Sequence, residues 1–224
     1  MSRSSDLRQR SSSVERTIEV FSRGDPVCIH DAADREGETD IIYPASAVTP
    51  DAVARLRNDA GGLICVALGD DVADTFGLPF LQDEIDHPTA ANHELSYDDR
   101  SSFSLPVNHR DTHTGITDED RSRTITALGT AAEQPEAVDF ATEFRSPGHV
   151  HVLRGAPELL ADRRGHTELG LALAEAAALP PAVVVCEMLD DQTHEALSPD
   201  DAASYAARHD IPYIEGARLI KQFL

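Results

Sequence analysis

Three short stretches of this 224-residue chain carry side chains whose types and spacing suit metal ligation, anion binding or proton transfer. The first is "HDAADREGETDIIYP", residues 30–44. Asp31, Asp34, Glu36, Glu38 and Asp40 supply five carboxylates within ten residues, with Arg35 among them and Gly37 loosening the backbone. A hard cation such as Mg2+ takes one or two carboxylates and completes its shell with water and substrate oxygens. In an acidic chain the same run reads equally as a solvated loop. Its place directly after an apolar strand, where loops often carry sites, favours chemistry.

The second stretch is "RRGHTELGLALAEAAAL", residues 163–179. Arg163 and Arg164 precede a helix beginning at His166 or Thr167, so planar fork donors meet a helix N-terminus, a combination that suits phosphate. The competing reading is a capped helix whose arginines pair with surface acids. The third stretch is a pair of apolar strands with lone titratable groups. In "PGHVHVLR", alternation sets His149 and His151 on one face and Val150 and Val152 on the other. In "PAVVVCEML", Glu187 closes a buried run, where desolvation raises a carboxyl pKa toward acid–base use. A satisfied core histidine, or a Glu187 paired with a buried arginine, would account for each of these alone. Metal, anion and base candidates together in one short chain favour an active site.

The elements that must position these groups are legible in outline. Residues 1–12 are polar and read as a flexible tail, and 13–224 as a single catalytic domain. A short helix with Ser13 as cap carries Val14, Ile18 and Phe21 on one stripe. "PVCIHD" is a buried strand running into the acidic segment. "TPDAVARLRNDAGG" has Thr49 at the cap, Pro50 in first position and Gly61 at the stop. "LICVAL" is a strand, and "SSFSLPV" alternates Phe103, Leu105 and Val107 as a half-buried one. Thr117 and Gly129 bracket a helix over 118–128, and a second acidic helix is expected over 136–143. "HVHVLR" and "PAVVVCE" are strands on either side of the 166–179 helix. "SPDDAASYAARH", "IPYIE" and "GARLIKQF" close the chain as helix, strand and helix. The mixture, without repeats or a clean linker, predicts an α+β or mixed α/β domain, a mixed sheet flanked by helices.

Acids outnumber bases 40 to 19, a formal charge of −21, and Lys221 is the only lysine. That argues against a nucleic-acid or anionic-membrane surface, since both require clustered positive charge. It matches the style of salt-loving archaea. Cys28, Cys65 and Cys186 are widely spaced in apolar runs and read as buried thiols. With no signal-peptide core and no span-length apolar run, the expectation is a soluble, cytoplasmic protein.

Taken in order, "DREGETD", "HTGITDEDRSRTI", "PGHVHVLR", "RRGHTE" and "LPPAVVVCEM" resemble the 3,4-dihydroxy-2-butanone 4-phosphate synthase family of riboflavin biosynthesis, over about residues 14–220. The resemblance implies conversion of D-ribulose 5-phosphate into 3,4-dihydroxy-2-butanone 4-phosphate and formate. It implies Mg2+, with Mn2+ as an alternative, no organic cofactor, and a homodimer with sites near the subunit interface. Carried onto this chain, it makes Glu36 and His166 metal ligands. Arg35, Glu36, Asp40, Arg163, Arg164, Gly165, His166, Thr167 and Glu187 become substrate-binding, and Asp40, His149 and Glu187 catalytic. The family's acidic loop usually has Asn where Gly37 stands, and residues 86–99 are longer and more acidic than its pattern. Relatives that continue into a GTP cyclohydrolase II domain carry a second activity, and this chain is expected to have one. The remaining alternatives are another Mg2+-dependent sugar-phosphate isomerase or aldolase, a catalytically silent acidic scaffold, and, on "REGETD" alone, a Nudix-type hydrolase.

Overall fold

The computed structural model describes residues 12–31, 35–90 and 100–224. Helix α1 (Val14–Ser22) starts as its cap dictates, with the Ser13 hydroxyl accepting from the Arg16 amide at 3.1 Å. After β1 (Val27–His30), the apolar end of the acidic segment forms a strand of its own, β2 (Thr39–Pro44). Helix α2 (Pro50–Arg55) is capped by Thr49, widens into a π-helical turn over Leu56–Ala60, and stops at Gly61 with φ +88°. Strand β3 (Cys65–Leu68) and the short helices α3 (Asp70–Thr75) and α4 (Leu81–Glu84) follow.

The expected strand through Phe103 and Leu105 forms only at its end, as β4 (Val107–His109). Pro106 cannot donate to a ladder, and Phe103 meets the sheet through an isolated bridge to Leu153. Helix α5 (Asp118–Ala131), capped by Thr117, runs past Gly129, the expected stop. Gly129 instead lies against the backbone of Ala45 and Ser46, where a Cβ would not fit. The acidic helix expected over 136–143 is broken. A 3-10 turn at Pro135–Ala137 is separated from α6 (Phe140–Glu143) by Val138 and Asp139 in non-helical conformations. The remaining elements follow the expected order: β5 (Phe144–Arg154), α7 (His166–Ala176), β6 (Ala182–Glu187), α8 (Pro199–Arg208), β7 (Tyr213–Glu215) and α9 (Gly216–Phe223).

The seven described strands form one mixed sheet in the order β4-β5-β3-β6-β2-β1-β7. The β3/β5 and β1/β7 pairs are parallel, and the others antiparallel. Strand alternation sorts the apolar residues between two helical layers. Cys28, Ile41, Tyr43, Val66, Val184 and Cys186 face α2, α5 and α8. Val27, Ile29, Ile42, Cys65, Val183 and Val185 face α1, α7 and α9. By the same alternation Asp40 and Glu187 fall on the α7 side, directly opposite each other in the β2/β6 ladder. Gly170 lets α7 sit close over that face, since a Cβ there would stand 2.9 Å from Val183. All three cysteines are free and buried. No helix among the described residues is long and apolar enough to cross a membrane.

Candidate active site

Where β2, β6 and the start of α7 meet, the sheet opens into a cleft of about 460 Å³. Arg35, Glu36, Glu38, Asp40, Arg163, His166, Thr167 and Glu187 line it, with Ser101, Ser102, Phe103 and Cys65 on the remaining wall. Three separated stretches of sequence thus converge on one point.

His166, almost completely buried, stands between acids on both ring edges. Its Nδ1 lies 3.5 Å from Glu36 Oε2 and 4.0 Å from Asp31 Oδ2. Its Nε2 lies 3.4 Å from Asp40 Oδ1 and 3.3 Å from the Glu38 carbonyl. Burial works against the imidazolium, but Asp40, Glu36 and Asp31 outweigh it and hold the ring pKa at about 10. Glu36 is held below the usual carboxylate range by its hydrogen bond to His166, against the effect of burial. Asp40, fully buried, is pushed well up by desolvation, with Glu187 and Glu38 adding to the opposition that His166 only partly offsets. Burial and the neighbouring Glu36 also raise Glu38. One carboxylate is thereby pushed toward its ion and another toward its acid form within one cleft, the kind of division that acid–base chemistry uses.

The acidic loop is organised by its own first carboxylate. Asp31 accepts from the Glu38 amide at 3.0 Å and the Glu36 amide at 3.2 Å, folding 36–38 back toward His166. Gly37 lies at φ +72° with nothing within 4 Å of a notional Cβ. The turn demands a left-handed residue, which Gly and Asn both tolerate.

At the other end of the cleft two guanidinium groups crowd the start of α7. A Cβ on Gly165 would stand 2.9 Å from Arg163 Nη1 and 3.2 Å from Arg35 Nη2. Gly165 is the N-cap and supplies no side-chain cap to the first turn, and Thr167 is buried beside it. Arginine forks over helix amides make an anion site. Arg164, expected to share it, is exposed and is not among the cleft residues.

Glu187 is pinned at the end of β6, where its Oε2 accepts from the Leu63 amide at 2.8 Å. Gly62 permits this approach, since a Cβ there would collide with the same carboxylate. Burial and Glu187 push the Cys65 thiol well up, so it presents an uncharged SH to the cleft. His149 is not brought to the cleft. It is exposed on β5, its Nδ1 3.1 Å from Asn108 Nδ2, while its amide donates to Asn108 Oδ1 at 2.8 Å. His30 is buried and its Nδ1 meets Thr39 Oγ1 at 3.1 Å. Asp34 and most of 86–99 fall outside the described residues.

A family profile for 3,4-dihydroxy-2-butanone 4-phosphate synthase matches residues 15–222. The chain belongs to that family. The enzyme of that name from Archaeoglobus fulgidus is 47% identical over 221 residues, covering 93% of each chain. That of Methanothermobacter thermautotrophicus is 40% identical, covering 94% of this chain and 96% of its own. Among solved structures, the Candida albicans synthase superposes with a TM-score of 0.80 at 28% identity, over 96% of this chain and 98% of that one. A synthase described as in complex with two magnesium ions gives 0.81 at 27% identity, over 94% and 96%. The family reaction, D-ribulose 5-phosphate to 3,4-dihydroxy-2-butanone 4-phosphate and formate in riboflavin biosynthesis, is the activity of this chain.

Proposed function

We propose that the cleft carries out this reaction with Glu36 and His166 as ligands of a divalent cation, Mg2+ or alternatively Mn2+, with Asp31 facing the same point. The donor set fits: one ligand atom from each of the three lies within 4.8 Å of the others, and acids with one imidazole suit either ion. Such an ion, when bound, polarises the substrate's carbonyl and hydroxyl oxygens.

The phosphate belongs at the other end, with Arg35, Arg163, Gly165 and Thr167. That anchorage lays the sugar carbons along Asp40 and Glu187. Asp40, desolvated and proton-loving, exchanges protons with the carbons and hydroxyls beside the ketone. Glu187, fixed by the Leu63 amide, works from the adjacent strand. Enolisation, loss of water, carbon migration, and release of C4 as formate on attack of a returning water balance without an external oxidant or reductant, so an organic cofactor has no step to perform. His149 acts from a second copy of the chain, which makes the working unit a homodimer. Its exposure on β5, outside the cleft of its own chain, supports this.

The observation that carries the reading is the facing of Asp40 and Glu187 across the β2/β6 ladder, beside His166. Purified protein given ribulose 5-phosphate is expected to release formate with Mg2+ and to stop on chelation, and Glu36→Ala to lose the metal response. Isomerisation of the sugar without formate would overturn the scheme.

A further inference from the structure

Glu168 has no place in the chemistry above, yet its side chain is fully buried in the first turn of α7. A carboxylate so placed is costly unless every contact is good. Here Oε2 accepts from Arg163 Nη1 at 2.9 Å and Oε1 from the Ala156 amide at 3.2 Å. Arg163 lines the cleft, its Nη2 3.9 Å from Glu36 Oε1, and its guanidinium is the group that excludes a Cβ at Gly165. An arginine on a flexible stem recognises a phosphate well only when the plane of its fork is set in advance. Glu168 takes one edge of that plane from behind and ties it to the backbone just after β5. The geometry points to Glu168 as a positioning residue, which aims the Arg163 guanidinium at the substrate phosphate without itself touching substrate. This rests on the reading of Arg163 as a phosphate ligand.

A glutamine at 168 can accept from Arg163 or from the Ala156 amide, but its NH2 then faces a donor on the other side. Glu168→Gln is therefore expected to raise KM for ribulose 5-phosphate about tenfold to a hundredfold, the worth of a hydrogen bond to a charged group, with a smaller change in kcat. In Arg163→Ala the same loss appears, and adding Glu168→Gln costs little more, because both act through one guanidinium. Arg163→Lys, which keeps the charge but loses the fork, is expected to behave like Arg163→Ala, and decides the matter even if Glu168 variants fail to fold. KM unchanged in Glu168→Gln beside a large loss in Arg163→Ala would overturn the positioning role alone, as would wild-type KM in Arg163→Lys. KM unchanged in Arg163→Ala would overturn the phosphate reading and this inference together.

Discussion

Acids flank His166 on both ring edges, and they keep its proton up to a pKa of about 10 although burial opposes the charge. A cation binding between Glu36 and His166 must displace that proton, so metal affinity is expected to rise with pH. Calorimetric titration with Mg2+ should show roughly tenfold tightening per pH unit below about 10, as one-for-one proton release requires. The stability of the metal-free protein runs the other way. With the folded pKa above the unfolded 6.5, the folded state binds more protons in this window. The contribution is fully present below 6.5 and is lost as pH rises through about 10. Melting of metal-free protein at pH 7 and pH 10 checks the sign. Asp40→Asn is expected to cut kcat by about 10²–10⁴, the usual worth of a positioned acid–base group, with little change in KM. Glu187 stands out in the sequence because it closes an apolar run, whereas Glu36, Asp40 and His166 lie in or beside polar stretches and take their roles from the family resemblance. Glu168 could not, because an acid in a helix's first turn already answers the helix dipole. The value of Gly62 to Glu187 was hidden as well, since Gly61 beside it explained the glycine pair as a helix stop.

At the scale of elements, caps were the most legible signal, since they act within four residues. Ser13, Thr49 and Thr117 all accept the expected amide, and Ser198 caps α8 in the same way. Thr117→Ala is expected to cost about 1 kcal/mol, lowering the melting midpoint by about 2–4 °C for a domain of this size. The errors arose where distant packing decided. Gly129 looked like a stop but serves the close approach of Ala45 and Ser46. Strand β2 was masked by the acidic run leading into it, although its partners β1 and β6 are both apolar. Sheet order could not be read at all, because it depends on which strands meet over long separations. In the acidic loop, the positive φ of Gly37 makes a sharp prediction. Gly37→Asn is expected to retain activity, while Gly37→Val strains the turn by about 1–2 kcal/mol and weakens Mg2+-dependent turnover.

For the whole molecule, a net charge of −21 sets strong self-repulsion against the compact state. Salt shortens the screening length from about 10 Å at 0.1 M to about 3 Å at 1 M, so the melting temperature is expected to climb across that range of KCl. Assembly is tested by complementation: His149→Ala and Glu187→Gln proteins, each impaired, should regain activity when mixed if His149 serves the neighbouring cleft, and should not if each chain works alone. The account as a whole turns on whether the His166 cluster excises one particular carbon. Ribulose 5-phosphate labelled with carbon-13 at C4, followed by NMR in Mg2+, asks this directly. The wild-type protein should yield labelled formate, and His166→Ala none above background. Labelled formate undiminished in His166→Ala, or formate without the label from the wild type, would contradict it.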